Sequence, residues 1–262
     1  MTLTLAEATR LVADVVCEMQ TGVATGGSAT TLADTSLTAP DDFYNGGTIW
    51  LLTGLNAGKT AIVTDFVNST GTFTFATLTQ VCAADDQYEA ATASINRQML
   101  RRSVNLALQG MGPVLNVDAT LDGVADQVEY NLPAGVRHVK RVLVGDGTGT
   151  GDYSHRQWEE YNGKLRFMAN LPSASDTITL FYENAPAFLD ADTDTISDYV
   201  PIERLKWEAA IYALRSRVNL VGADDTALAS KLGEAQQMAA LMRSRYPMRT
   251  MTRQPNLASF GS

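Results

Sequence analysis

The chain has 262 residues, 45% of them hydrophobic, with a formal net charge of -9. That length fits one large domain or two modest ones with a real core, and no run reaches the roughly 18 consecutive apolar residues of a membrane span. Residues 1–200 carry 11 Lys and Arg against 24 Asp and Glu, net -13, while residues 201–262 carry 9 against 5, net +4; the body therefore repels nucleic acid, and the basic C-terminus is suited to an acidic protein surface.

Met1-Thr2-Leu3-Thr4 has no basic region followed by an apolar run, so no signal peptide is expected. Thr4 and Glu7 have the spacing of a capping box. Leu5, Ala8, Val12, Val15 and Met19 then mark one face of a helix that Gly22 closes. Cys17 lies on this helix and Cys82 at a distant strand end; both read as buried free thiols, which fits a reducing compartment.

Residues 23–90 hold one basic side chain, Lys59, among Thr, Gly, Asp and β-branched residues. Strands are predicted at Thr48–Leu52, Thr60–Val67 and Thr72–Phe75, with turns at Asn45–Gly47, Leu55–Gly58 and Asn68–Gly71. This reads as a small all-β module, a barrel or sandwich inserted between two helices. The second helix is capped by Thr92 or Ser94. Its apolar face is Ile95, Met99, Leu100, Val104, Ala107 and Met111, and Gly110–Pro113 ends it. Arg97, Arg101 and Arg102 lie on or near one side and, in so acidic a chain, are expected to pair with carboxylates within the subunit or across an interface.

A second β region spans 114–199, with strands at Gln127–Asn131, Val136–Val144, Lys164–Met168 and Thr177–Tyr182. Tyr161-Asn162-Gly163-Lys164 is its clearest hairpin, since Asn-Gly tolerates the positive φ of a tight turn. Gly145–Gly151 reads as a flexible loop and Leu189–Asp198 as an acidic linker. Pro201 suits a first helical position. Trp207, Ile211, Leu214, Val218 and Val221 mark one helical face, and Gly222 ends that helix. Asp224 or Asp225 caps a second one with Leu228, Leu232, Ala235, Ala239 and Met242 on its face, stopped by Pro247. From Arg243 onward there are four arginines and no acid. Arg243, Arg245, Arg249 and Arg253, with Met251, Leu257 and Phe260 as apolar anchors, read as an extended arm that docks on a partner.

The fold class expected is therefore α+β. A helical core (1–22, 91–113 and 200–246) carries two β insertions (23–90 and 114–199) and an extended C-terminal tail (247–262). Gly54-Leu55-Asn56-Ala57-Gly58-Lys59-Thr60 approaches a phosphate-binding loop but is one residue short between its glycines and opens a strand pattern, so a β-turn is expected. His138 and His155 are far apart, as are the cysteines, which excludes a metal cluster of ligand spacing. His138 reads as a surface residue and His155 as the edge of the glycine loop. The acid pairs Asp41-Asp42, Asp85-Asp86, Glu159-Glu160 and Asp224-Asp225 fall at turns and strand edges and read as solvated. Asp190-Ala-Asp192-Thr-Asp194 lacks the glycine and closing glutamate of a calcium loop. No residue is nominated as catalytic, cofactor-binding or metal-ligating.

Two stretches carry a resemblance. One is Asp41-Asp42-Phe43-Tyr44-Asn45-Gly46-Gly47-Thr48-Ile49-Trp50 with Asn56-Ala57-Gly58-Lys59. The other is Phe181-Tyr182-Glu183-Asn184-Ala185-Pro186, an acidic linker, then Val200-Pro201-Ile202-Glu203-Arg204 leading into Trp207–Arg215. With the order of elements, they make the chain resemble the head-to-tail adaptor (connector) proteins of tailed bacteriophages. The resemblance implies a non-enzymatic virion protein at the neck, made in the host cytoplasm. It implies a homo-oligomeric ring, usually of twelve copies, below the portal protein, whose lumen passes double-stranded DNA without specific binding and whose far side receives tail, nozzle or tail-tube proteins. The Arg243–Phe260 arm would dock on the portal, and Arg97, Arg101, Arg102, Arg204 and Arg215 would be candidates for the subunit interface. Another neck or tail protein, such as a tail completion or fibre-attachment protein, is the alternative. No cofactor and no membrane are expected.

Overall fold

In the computed structural model, which describes residues 3–146, 152–155, 157–221 and 225–253, antiparallel strand outweighs helix, 32% against 28%. This overturns the expected helical core with two β insertions. Each β region closes over a hydrophobic core of its own, so neither depends on a helical core for burial. The described residues fall into two units, one from Met1–Gly110 with Phe188–Pro247, the other from Met111–Ala187 with Met248–Ser262.

The first unit opens with β1 (Leu3–Thr4) and α1 (Leu5–Val16). Both halves of the capping box form: the Glu7 amide donates to Thr4 Oγ1 at 3.3 Å, and the Thr4 amide to Glu7 Oε2 at 2.8 Å. Leu5, Ala8, Val12 and Val16 are buried, but Val15 is only half-buried. The helix stops well before Gly22, because Gln20–Val23 is taken as strand β2 by pairing with residues 87–90. Met19 therefore lies outside the helix, and Cys17 at its end is half-exposed instead of buried.

The barrel follows: β3 (Gly26–Gly27), β4 (Thr31–Ala33), β5 (Thr48–Leu51), β6 (Lys59–Val67), β7 (Thr72–Phe75) and β8 (Gln87–Ala91). Their order is β2-β8-β5-β6-β7-β4-β3. The two edges, β2 and β3, are separated along the chain only by Ala24 and Thr25. The Ala24 amide donates to Asp86 O at 2.8 Å and the Thr25 amide to Ala33 O at 2.7 Å, so one bent segment crosses between the edges and closes the sheet on itself. β6 makes the opposite corner: its first half pairs with β5, its second half with β7, across a register shift at Val63/Asp65. Tyr44, Phe66, Phe73 and Tyr88 fill the interior, with ring centroids 4.9–5.4 Å apart. Each buried phenylalanine contributes on the order of 1.5–3 kcal/mol.

All four residues of β5 are buried. Ile49 and Leu51 face the barrel core. On the other face Trp50 donates its indole N–H to Thr9 Oγ1 of α1 at 3.2 Å, and Thr48 donates to Ile95 O at 3.0 Å. α2 (Arg97–Met111) follows. Its cap is Asn96, whose Oδ1 accepts the Met99 amide at 2.8 Å. Thr92 and Ser94, the expected caps, hydrogen-bond each other instead.

The second unit contains β9 (Val114–Asp122), β10 (Glu129–Asn131), β11 (Val136–Gly145), β12 (Tyr153–His155), β13 (Trp158–Tyr161), β14 (Lys164–Phe167) and β15 (Thr177–Asn184). They form a four-stranded sheet, β12-β11-β15-β9, and a three-stranded sheet, β10-β14-β13. Val139, Val142, Val144, Ile178 and Leu180 of the first share one core with Tyr130, Trp158, Leu165 and Phe167 of the second. The hairpin at Asn162-Gly163 is present, with φ of 49° and 72°. His155 is in this core and not at a loop edge: it is 3% exposed, with Nε2 2.9 Å from Asn170 O and its ring 4.8 Å from that of Phe167.

The chain then returns to the first unit. β16 (Thr195–Ile196) pairs with β1, and α3 (Ile202–Val221) and α4 (Thr226–Arg245) follow. Asp225 caps α4 by accepting the Leu228 amide at 2.9 Å; Gly222 and Asp224 lie outside the described residues. α3 packs against both α1 and α4. Of the expected face, Ile211 and Leu214 are buried while Trp207 and Val218 are half-buried; Leu205, Glu208, Ala209 and Ala213 complete the buried side. α4 buries Leu228, Ala235, Ala239 and Met242.

Candidate functional site

Four of the arginines singled out from sequence are spent on two acids of the first unit. The loop after Phe188 turns Asp192 inward. Its carboxylate accepts the Thr60 amide at the start of β6 (2.9 Å), Arg97 Nη2 (2.9 Å) and Arg101 Nη2 (2.6 Å). Thr60 Oγ1 donates to the same carboxylate and accepts from Arg97 Nε. Burial pushes the Asp192 carboxyl up, but the Arg101 hydrogen bond, the Thr60 amide and the Arg97 charge outweigh it and hold it below the usual range. The three acids of the Asp190–Asp194 alternation thus do different things. Asp190 stands in solvent, Asp192 locks the loop, and Asp194 turns back to accept the amides of Asp190 and Ala191.

Glu208, 6% exposed on α3, is the second acid. Arg204, one turn earlier, donates Nε to Oε1 at 2.9 Å. Arg243 of α4 donates Nε to Oε1 at 2.9 Å and Nη2 to Oε2 at 3.1 Å. Burial again raises this carboxyl, while Arg243 and Arg204 lower it further than burial lifts it. Arg243 is therefore a clamp between α4 and α3.

The rest of the expected arm divides. Arg245 ends α4 with its guanidinium 5.8 Å from the Tyr246 ring centroid. Arg249 is exposed and Met251 half-buried in a segment without helix or strand. In the second unit, Arg253 reaches Glu160 Oε1 at 3.2 Å and lies 5.6 Å from the buried Trp158 ring centroid. Leu257 and Phe260 lie outside the described residues.

Arg102 of α2 and Arg215 of α3 are exposed and, among the described residues, have no ion-pair partner. Both line a groove of about 450 Å³ between α2 and α3. Ser103 and Ser216 give it hydroxyls, and Met99, Leu106 and Tyr212 give it apolar surface. Among the described residues no acid is in its lining.

The near-phosphate loop is a turn. Gly58 has φ of 78°, and Lys59 opens strand β6 and donates to Thr79 Oγ1. Among the described residues no cluster of His, Cys, Asp and Glu is arranged for a metal ion, and no helix is long and apolar enough to cross a membrane. Burial pushes the Cys17 thiol up to about 11 and raises Cys82 as well, so neither is poised as a thiolate.

Sequence reasoning missed Asp192 and Glu208. Asp192 had no local signal, because its partners are distant in sequence. Glu208 had one: an acid inside the apolar run Trp207-Glu208-Ala209-Ala210, four residues after Arg204. No protein-family model matches the chain, and neither does any curated protein.

Proposed function

We propose that the chain is a structural protein of the tailed-phage neck, a head-to-tail adaptor whose copies form a ring below the portal and offer a platform to tail proteins. The observation that carries this reading is the course of the chain after α4. Over residues 247–253 it runs without helix or strand and carries exposed Arg249, and it belongs to the basic, acid-free end of an otherwise acidic molecule. An extended basic segment of this kind suits capture by an acidic groove on another protein. The acidic body suits a channel wall, because affinity for duplex DNA comes from neutralising phosphates. The resemblance implies a ring usually of twelve copies.

Deleting Pro247–Ser262 tests the arm. The truncated protein is expected to fold, as judged by circular dichroism, and to lose co-sedimentation with portal-bearing capsids. Undiminished joining by the truncated protein would overturn the reading.

A further inference from the structure

The groove between α2 and α3 is basic and open, while the molecule around it is acidic. Arg97 and Arg101, one turn apart on α2, are neutralised by Asp192; Arg102 and Arg215 are left facing the groove without acids of their own among the described residues. Whatever fills it must bring a carboxylate and apolar surface for Met99, Leu106 and Tyr212.

α4 has a face with those properties. Its buried residues occupy one side, and the opposite side is exposed along its length: Ala227, Ser230, Glu234, Gln237, Leu241 and Ser244 step alternately by three and four. Small residues at three of these positions let another backbone come close. Glu234 has no ion-pair partner among the described residues, and Leu241 is 52% exposed. Seven residues separate Glu234 from Leu241, about 10 Å along a helix, and the α2 side of the groove runs from Asn96 to Leu106, about 15 Å. Both side chains are thus accommodated in one seat.

We propose that α4 of a second copy of this chain seats in the α2–α3 groove, with its Glu234 meeting Arg102 and Arg215 and its Leu241 covering the apolar lining. The two surfaces are different parts of one chain, so the contact is head-to-tail and repeats from copy to copy; it closes into a ring where the rotation permits. The choice of a second copy as occupant rests on the ring reading above.

The test is Arg215→Glu and Glu234→Arg, singly and together, followed by mass photometry over a concentration series and by co-sedimentation with portal-bearing capsids. Each single change places like charges in the seat and is expected to weaken self-association about tenfold or more, and the double change to restore it. Ser230→Trp, which blocks the seat without altering charge, is expected to weaken association similarly. Thermal melts of all variants should match the parent, since the three positions are exposed. If the parent assembles and the single variants assemble as readily, the groove assignment is wrong while the ring reading stands. Failure of the double variant to recover would remove α4 as the occupant. A parent that stays monomeric both alone and with portal-bearing capsids would overturn the ring and the seat together.

Discussion

Asp192 and Glu208 are each held by two guanidinium groups, yet they hold different kinds of structure. Asp192 sits on a loop and draws together α2 and Thr60 at the start of β6 over sequence separations of 95, 91 and 132 residues. Glu208 sits on a helix and takes one partner from the preceding turn of the same helix and one from the adjoining helix. Around Glu208, Ala209 and Ala213 of α3 and Ala235 and Ala239 of α4 are already buried. The loop 188–194 has less packing to lean on: Leu189 is buried, Asn105 bonds both its amide and its carbonyl, and the first amides of α1, Leu5 and Ala6, donate to Asp194 O at 2.8 Å and Asp192 O at 3.2 Å. The contrast separates an ion pair that creates a tertiary connection from one that finishes a packed interface.

The largest expected effect follows. Asp192→Ala leaves the mostly buried Arg97 guanidinium without a counter-charge, Arg101 with only the solvent-exposed Asp190 at 3.9 Å, and the Thr60 amide without its acceptor. Removing one member of a buried pair costs about 3–5 kcal/mol, so urea denaturation should show a loss of that order. A loss under about 1 kcal/mol would mean that the loop is held by Leu189, Asn105 and the backbone bonds from α1 instead.

Acid should sharpen the same comparison with a smaller effect. Both carboxyls titrate below their ordinary range in the folded chain. The stability each contributes is complete above its unfolded value and is lost as pH falls through the depressed folded value. Melts below about pH 5 should therefore lose stability steeply. Asp192→Asn should flatten that slope. Glu208→Gln should flatten it too, with a cost at neutral pH of about 1.5–3 kcal/mol, the worth of hydrogen bonds to a charged group. Unaltered slopes in both variants would show that other carboxylates govern acid unfolding.

What could be read in the sequence was what depends on neighbours along the chain. The Thr4/Glu7 box and the Asn162-Gly163 turn are local hydrogen-bonding and φ requirements, and both are in place. The helix pair after Pro201 was legible by period, and its buried face in large part: Ile211, Leu214, Leu228, Ala235, Ala239 and Met242 are buried as expected, whereas Leu205, Glu208 and alanines do the packing that Trp207 and Val218 were expected to do. The balance of the fold was hidden in strands of two to five residues. Gln20–Val23, Gly26–Gly27 and Gln87–Ala91 are too short or too polar to show alternation, and become strands only because β4, β5 and each other lie alongside. The arginines were found as a class, but which were free was decided by acids up to about a hundred residues away, beyond any spacing rule.

The smallest effect is expected where a guanidinium meets an acid in solvent. Arg253 is 50% exposed at the side chain and Glu160 21%. Such a pair contributes about 0–1 kcal/mol and is screened by salt; the Trp158 ring beneath Arg253 adds about 0.5–1 kcal/mol. Arg253→Ala should therefore cost no more than about 1–2 kcal/mol at low salt, and less at high salt, in chemical denaturation. Glu160→Ala should cost more, because Glu160 Oε1 also accepts the Val139 amide at 3.0 Å, and that donor lies against the core of the second unit. If Arg253→Ala proved the costlier of the two, the segment after α4 would be a fixed part of the second unit, and an arm free to leave for a partner would be excluded.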